Sequence, residues 1–94
     1  MVNAFVLVSV EHGQVNRVAE DLAALDGVTE VYSVAGQFDL LAVVRAADNE
    51  GLAEIITGRM LQVGGIARSQ TLIAFRVFSR YDLEHLFSIG MEGR

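Results

Sequence analysis

The chain has 94 residues, of which 52% are hydrophobic and 20% charged, and it carries a formal net charge of −5. A chain of this length holds one domain, and so small a core is often completed by self-association. The acidic balance works against unaided binding to a phosphate backbone, and the absence of cysteine excludes disulfides and thiolate metal sites.

No apolar run approaches the roughly 20 residues that span a bilayer. Met1-Val2-Asn3 places no basic region ahead of the first apolar stretch, so no secretory signal is expected. The seven basic residues are scattered, and no basic stripe forms. These features are compatible with a reducing cytoplasm and predict neither direct nucleic-acid contact nor membrane insertion.

Residues 4–10 form an apolar run of strand length, apolar in both alternating sets, as in a strand covered on both faces. Glu11-His12-Gly13-Gln14 breaks it. Val15, Val18, Ala19, Leu22 and Leu25 then fall at helical spacing, with Asn16, Arg17, Glu20 and Asp21 on the opposite side. Gly27 follows as a C-terminal cap. Val28 to Ala35 predicts a second strand, Gly36-Gln37 a short turn, and Phe38 to Arg45 a third strand in an antiparallel hairpin. Asp48 or Asn49 can cap a second helix, with Leu52, Ile55, Ile56, Met60 and Val63 facing inward and Gly58 weakening its middle. Gly64-Gly65 ends that helix. Ile66 to Ser79 predicts a long fourth strand, with Ser69, Thr71, Ile73, Phe75 and Val77 on one face.

The order β-α-β-β-α-β predicts an α+β, ferredoxin-like domain over residues 1–79, with a four-stranded antiparallel sheet and two helices on one face. The other face also carries apolar residues. A second copy packed sheet against sheet is the simplest cover, as in a dimeric α+β barrel. Residues 80–94 form a tail in which Leu83, Leu86, Phe87 and Met91 have helical spacing. It either caps the same domain or makes an oligomer contact.

Two local patterns and the element order together resemble the Lrp/AsnC (feast/famine) family of transcriptional regulators. Val31-Tyr32-Ser33-Val34-Ala35-Gly36-Gln37-Phe38-Asp39-Leu40-Leu41 is similar to the family's strand, Gly-x-Tyr/Phe-Asp turn and apolar strand. Gly65-Ile66-Ala67-Arg68-Ser69-Gln70-Thr71 is similar to its glycine, apolar residue and polar run ending in threonine. The resemblance covers roughly residues 3–79. It implies the family's effector domain, which dimerises through its sheets, assembles into larger rings (an octamer or a decamer) and binds amino acids between dimers. The family's N-terminal helix-turn-helix has no counterpart here, since Met1 leads directly into the first strand. The expectation is therefore a stand-alone effector domain that senses metabolites or co-assembles with a DNA-binding paralogue.

A free amino acid presents an ammonium, a carboxylate and a side chain, so its site needs an anionic acceptor, donors and a shaped pocket. The resemblance implies an effector site drawn from Gly36, Gln37, Phe38, Asp39, Ser69, Gln70 and Thr71. In it Asp39 accepts from the ammonium, backbone N–H groups around Gly36 hold the carboxylate, and the Ser69 and Thr71 hydroxyls face one side of a strand. Each residue also has a plainer reading. Gly36 serves any turn, Asp39 can satisfy local backbone donors, Phe38 can be core or interface, and Ser69 and Thr71 can be ordinary strand residues.

His12 and His85 are far apart and have no neighbouring ligands at metal spacing. No cofactor fingerprint, P-loop or nucleophile motif is present. The chain is expected not to be an enzyme. The alternative is a small dimeric α+β-barrel monooxygenase or isomerase, with a polar cluster near His12 or Tyr32.

Overall fold

Alternation along the first strand decides which face of the sheet becomes the core. In β1 (Val2–Val10) the side chains of Ala4, Val6 and Val8 are fully buried, while Phe5 and Leu7 between them are only partly covered. The structure, a computed structural model, describes residues 1–80. After β1 come α1 (Val15–Ala23), β2 (Val28–Ser33), β3 (Leu40–Ala46), a second helix, and β4 (Ile66–Ala74). The four strands form one antiparallel sheet in the order β2-β3-β1-β4. Both helices lie on the face of Ala4, Val6 and Val8. There Val18 and Leu22 of α1, and Leu52, Ile55, Ile56 and Met60 of the second helix, join Leu40, Ala42 and Val44 in the core. This is the α+β ferredoxin-like arrangement that the element order predicts.

The second helix keeps its predicted inward face but changes its winding. Asp48 caps it, its Oδ1 accepting from the Gly51 N–H at 2.8 Å. One α-helical turn, Asn49–Ala53, passes into a wider π-helical stretch, Glu54–Arg59, and then a 3-10 turn, Met60–Gln62. Gly58, the poor helix former of this segment, lies in the wide stretch. Leu52, Ile55, Ile56 and Met60 are all buried, and Val63 is half-buried.

The glycine pair after that helix serves close packing as well as chain reversal. Gly65 has φ +97°, and a Cβ there would lie 2.6 Å from Arg17 Nη2 and 2.9 Å from Val18 Cγ2. The Gly65 carbonyl accepts from the Glu11 N–H at 2.8 Å, and Arg17 Nη2 donates to the Gly64 carbonyl at 2.7 Å. The pair thus lets β4 start directly against α1.

Strand boundaries differ from expectation in all four strands, β1 starting at Val2 rather than at residue 4. The strand predicted over Val28 to Ala35 stops at Ser33, and the one predicted from Phe38 to Arg45 runs from Leu40 to Ala46. Residues 34–39 form a connection longer than the expected Gly36-Gln37 turn. The cause is Asp39, whose N–H donates to the Val8 carbonyl at 2.9 Å while its own carbonyl accepts from the Val34 N–H at 3.0 Å. The fourth strand ends at Ala74 and not at Ser79. Its pairing with β1 ends where Asn3 faces Ala74. Phe75 and Val77 therefore lie past the strand and do not extend the row of Ser69, Thr71 and Ile73. Phe75 is 99% exposed and Phe78 80%. The tail reading, with Leu83, Leu86, Phe87, Met91 and the residue His85, falls outside the described residues apart from Arg80.

Candidate functional site

The predicted turn does not project as a free hairpin tip. It folds over the end of β1 and meets β4. At Ser9/Val10 the β1–β4 register shifts: Ser9 pairs with Arg68 but Val10 pairs with Ile66. Such irregularities re-aim side chains and backbone groups. Here the Val10 N–H donates to Asp39 Oδ2 at 2.8 Å. One oxygen of Asp39 thus satisfies a backbone donor, as the plainer reading of this residue has it. The other, Oδ1, accepts from no protein donor among the described residues.

Phe38 and Gln37 meet Arg68, which lies in the polar run and has no role predicted from the sequence. The Arg68 guanidinium lies 4.8 Å from the Phe38 ring centroid. Its Nη2 donates to the Gln37 carbonyl at 3.1 Å and makes a longer 3.4 Å contact with Ser9 Oγ. Ser9 Oγ is itself 3.5 Å from the Gln37 carbonyl. Gly36 is exposed, and no atom lies within 4 Å of where its Cβ would stand, so its backbone is open to approach. The signal that could have singled out Arg68 is its place one residue before Ser69 in the polar run, but only the sheet order puts it beside the turn.

The remaining predicted residues divide between the two faces. Ser69 pairs with buried Val8 and Thr71 with buried Val6, so both point to the helix side. Thr71 lines a groove there with Leu52, Ile56 and Ile73. Gln70 pairs with Leu7 on the opposite, open face, as does Arg68 with Ser9. Within one chain, Gly36, Gln37, Phe38, Asp39 and Arg68 form a cluster. Gln70 stands further along the same face, and Ser69 and Thr71 stand on the other.

That open face is apolar at its centre. Leu7 pairs with Leu41, Phe5 with Val43 and with Leu72, and Leu41 with Tyr32. Leu72 is 46% exposed. Tyr32 donates its hydroxyl to Glu30 Oε2 at 2.6 Å, and this carboxylate raises the phenol above its ordinary range through that hydrogen bond and its charge. His12 is exposed, and among the described residues no group of three His, Cys, Asp or Glu side chains is placed to hold a metal. No helix among them is long and apolar enough to cross a membrane.

Comparison with known proteins bears on the family and the fold. The family model of the Lrp/AsnC ligand binding domain matches residues 3–83. An uncharacterized HTH-type transcriptional regulator, PH1916 of Pyrococcus horikoshii, is 38% identical over 58 residues, 62% of this chain and 39% of that protein. The chain spans about two fifths of the length of the curated relatives it matches first. Among solved structures, TTHA0845 from Thermus thermophilus is 42% identical with a TM-score of 0.80, covering 85% of this chain and all of that one. A feast or famine regulatory protein of M. tuberculosis (Rv3291c), solved in complex with L-methionine, is 25% identical with a TM-score of 0.70, covering 84% of this chain and 53% of that one. The family and these relatives are those of transcriptional regulators, not of enzymes. With its family match running through nearly all the described residues, the chain belongs to the Lrp/AsnC ligand-binding domain family.

Proposed function

We propose that this domain binds an amino acid or a closely similar small effector and reports it through a change in assembly. The observation that carries this reading is the Gly36–Asp39 loop, pinned to β1 while it leaves an open glycine and an uncommitted carboxylate oxygen. The Asp39 carboxylate is the acceptor for the effector's ammonium, and backbone N–H groups around Gly36 are donors to its carboxylate. The methionine complex of the M. tuberculosis regulator lends support from within the family.

The open sheet face is the surface through which two copies pair. Its Leu7–Leu41 centre and the exposed Phe75 and Phe78 beyond β4 are apolar surface that water leaves uncompensated. Dimers joining into an octamer or a decamer bring further surfaces together. In such a ring Ser69, Gln70 and Thr71 of one copy complete the site begun by Gly36, Gln37, Phe38 and Asp39 of another. This arrangement gives the split between the two faces a use. A cytoplasmic location and co-assembly with a DNA-binding paralogue follow from the regulator reading.

The mechanism is linkage. A ligand that fits one assembly better than another shifts the population by its difference in affinity. Sedimentation of the protein with and without a pool of the twenty L-amino acids is expected to show a change in assembly mass. An unchanged mass across protein concentrations would remove the assembly half of the proposal.

A further inference from the structure

Arg68 is a cation held in place without a counter-charge. It rests against the Phe38 ring and donates to the Gln37 carbonyl, with Ser9 Oγ at longer range. All three partners are neutral. The ion pairs among the described residues are Arg17–Asp21 and Glu54–Arg59, and Arg68 belongs to neither. Nor do its Nε or Nη1 groups donate to any protein acceptor among the described residues. A guanidinium carries five N–H donors in a planar fork suited to a carboxylate. Contact with an aromatic ring restrains the side chain and reduces the freedom lost when an anion binds. In a chain of net charge −5, an arginine with unused donors and no ion-pair partner among the described residues is a place for an anion from outside.

The anionic neighbour that a zwitterion needs is close in the chain. Arg68 reaches Ser9, and the next residue, Val10, holds Asp39 through its N–H. Successive residues at the register shift, Ser9 and Val10, are thus contacted by a cation and a carboxylate that form no ion pair with each other. A ligand with a carboxylate and an ammonium on one carbon has charges to match both. A simple amine or a simple acid satisfies only one.

We propose that Arg68 is the carboxylate anchor of the effector site, gripping the α-carboxylate while Asp39 receives the ammonium. This rests on the amino-acid-binding reading above and adds to it the side chain that recognises the acid group. It narrows the effector class to α-amino acids with a free carboxylate and selects against their amides.

Isothermal titration of the full chain tests it, with each of the twenty L-amino acids and then the carboxamide of every one that binds. The carboxamide is expected to bind about ten- to hundredfold more weakly than the acid, the loss typical of one charge-assisted pair. Arg68→Ala weakens the acid by a similar factor and brings acid and amide to within about threefold of each other, while Arg68→Lys falls between. Equal binding of acid and amide by the unaltered protein overturns the proposal and needs no variant. So does an Arg68→Ala protein, folded by circular dichroism, that keeps the acid-over-amide preference. Either result leaves amino-acid binding itself standing. If no amino acid binds the unaltered protein, the sensing reading fails and this proposal fails with it.

Discussion

Gly65→Ala is expected to destabilise the domain by about 3–4 kcal/mol, and Gly13→Ala by only about 1 kcal/mol. Both glycines have positive φ, +97° and +77°, so both substitutions strain the backbone. They differ in what the new methyl meets. At Gly13 nothing lies within 4 Å, whereas at Gly65 the methyl runs into Arg17 Nη2 and Val18 Cγ2 at 2.6 and 2.9 Å. Val18 is fully buried and cannot yield cheaply. Arg17 can move, but only by giving up its bond to the Gly64 carbonyl. The loss is a large share of the roughly 5–15 kcal/mol that holds a domain together. Urea midpoints of the two variants, at one protein concentration, measure it. Equal losses at the two positions would show that the α1–β4 contact contributes nothing.

The second large effect is expected on the open sheet face. Leu7→Glu should leave the monomer folded and break the pairing of two copies. Leu7 is only partly covered within one chain, opposite Leu41 on one side and Gln70 on the other, so a single domain can turn a glutamate there toward water. In a sheet-to-sheet dimer two such carboxylates enter an apolar interface about its two-fold axis. Burying unpaired charge costs several kcal/mol, and about 4 kcal/mol corresponds to roughly a thousandfold weaker dimer. Sedimentation equilibrium reads the shift directly, and circular dichroism checks the fold. A Leu7→Glu protein with the mass of the unaltered one would show that copies associate elsewhere.

Most of the fold is legible in the sequence because hydrophobic spacing carries it. The row Val18 and Leu22, and the row Leu52, Ile55, Ile56 and Met60, pack where their periodicity places them. The strand ends are not legible in the same way. Ser79 reads as strand because Phe75 and Val77 continue the alternation, yet pairing with β1 stops at Ala74. Whether a segment has a neighbour is a property of the sheet and leaves no mark in the segment's own residues. The wide winding over Glu54–Arg59 is hidden for a related reason, since the inward residues are buried either way and Gly58 alone gives only a hint.

The candidate site is legible in part. The Gly36–Asp39 loop is where its motif says, but its partners come from distant segments. Asp39 is tied to Val10, 29 residues away, and Gln37 to Arg68, 31 residues away. Ser69 and Thr71 carry the alternation that predicts a shared face. Only the β1–β4 register reveals that this face is the helix side, away from Arg68 and Gln70.

The central claim is that the domain binds an amino acid in its folded state. Folded-state binding raises stability by RT ln(1 + [L]/Kd), about 1.4 kcal/mol at ten times Kd, or a rise in Tm of roughly 5–10 °C for a domain of this size. Thermal melts with each of the twenty L-amino acids at about 10 mM, well above a millimolar Kd, are the most direct test. At least one is expected to raise Tm by that amount in a dose-dependent way, and the same amino acid should fail to do so with Asp39→Ala. Twenty unshifted melts would contradict the account.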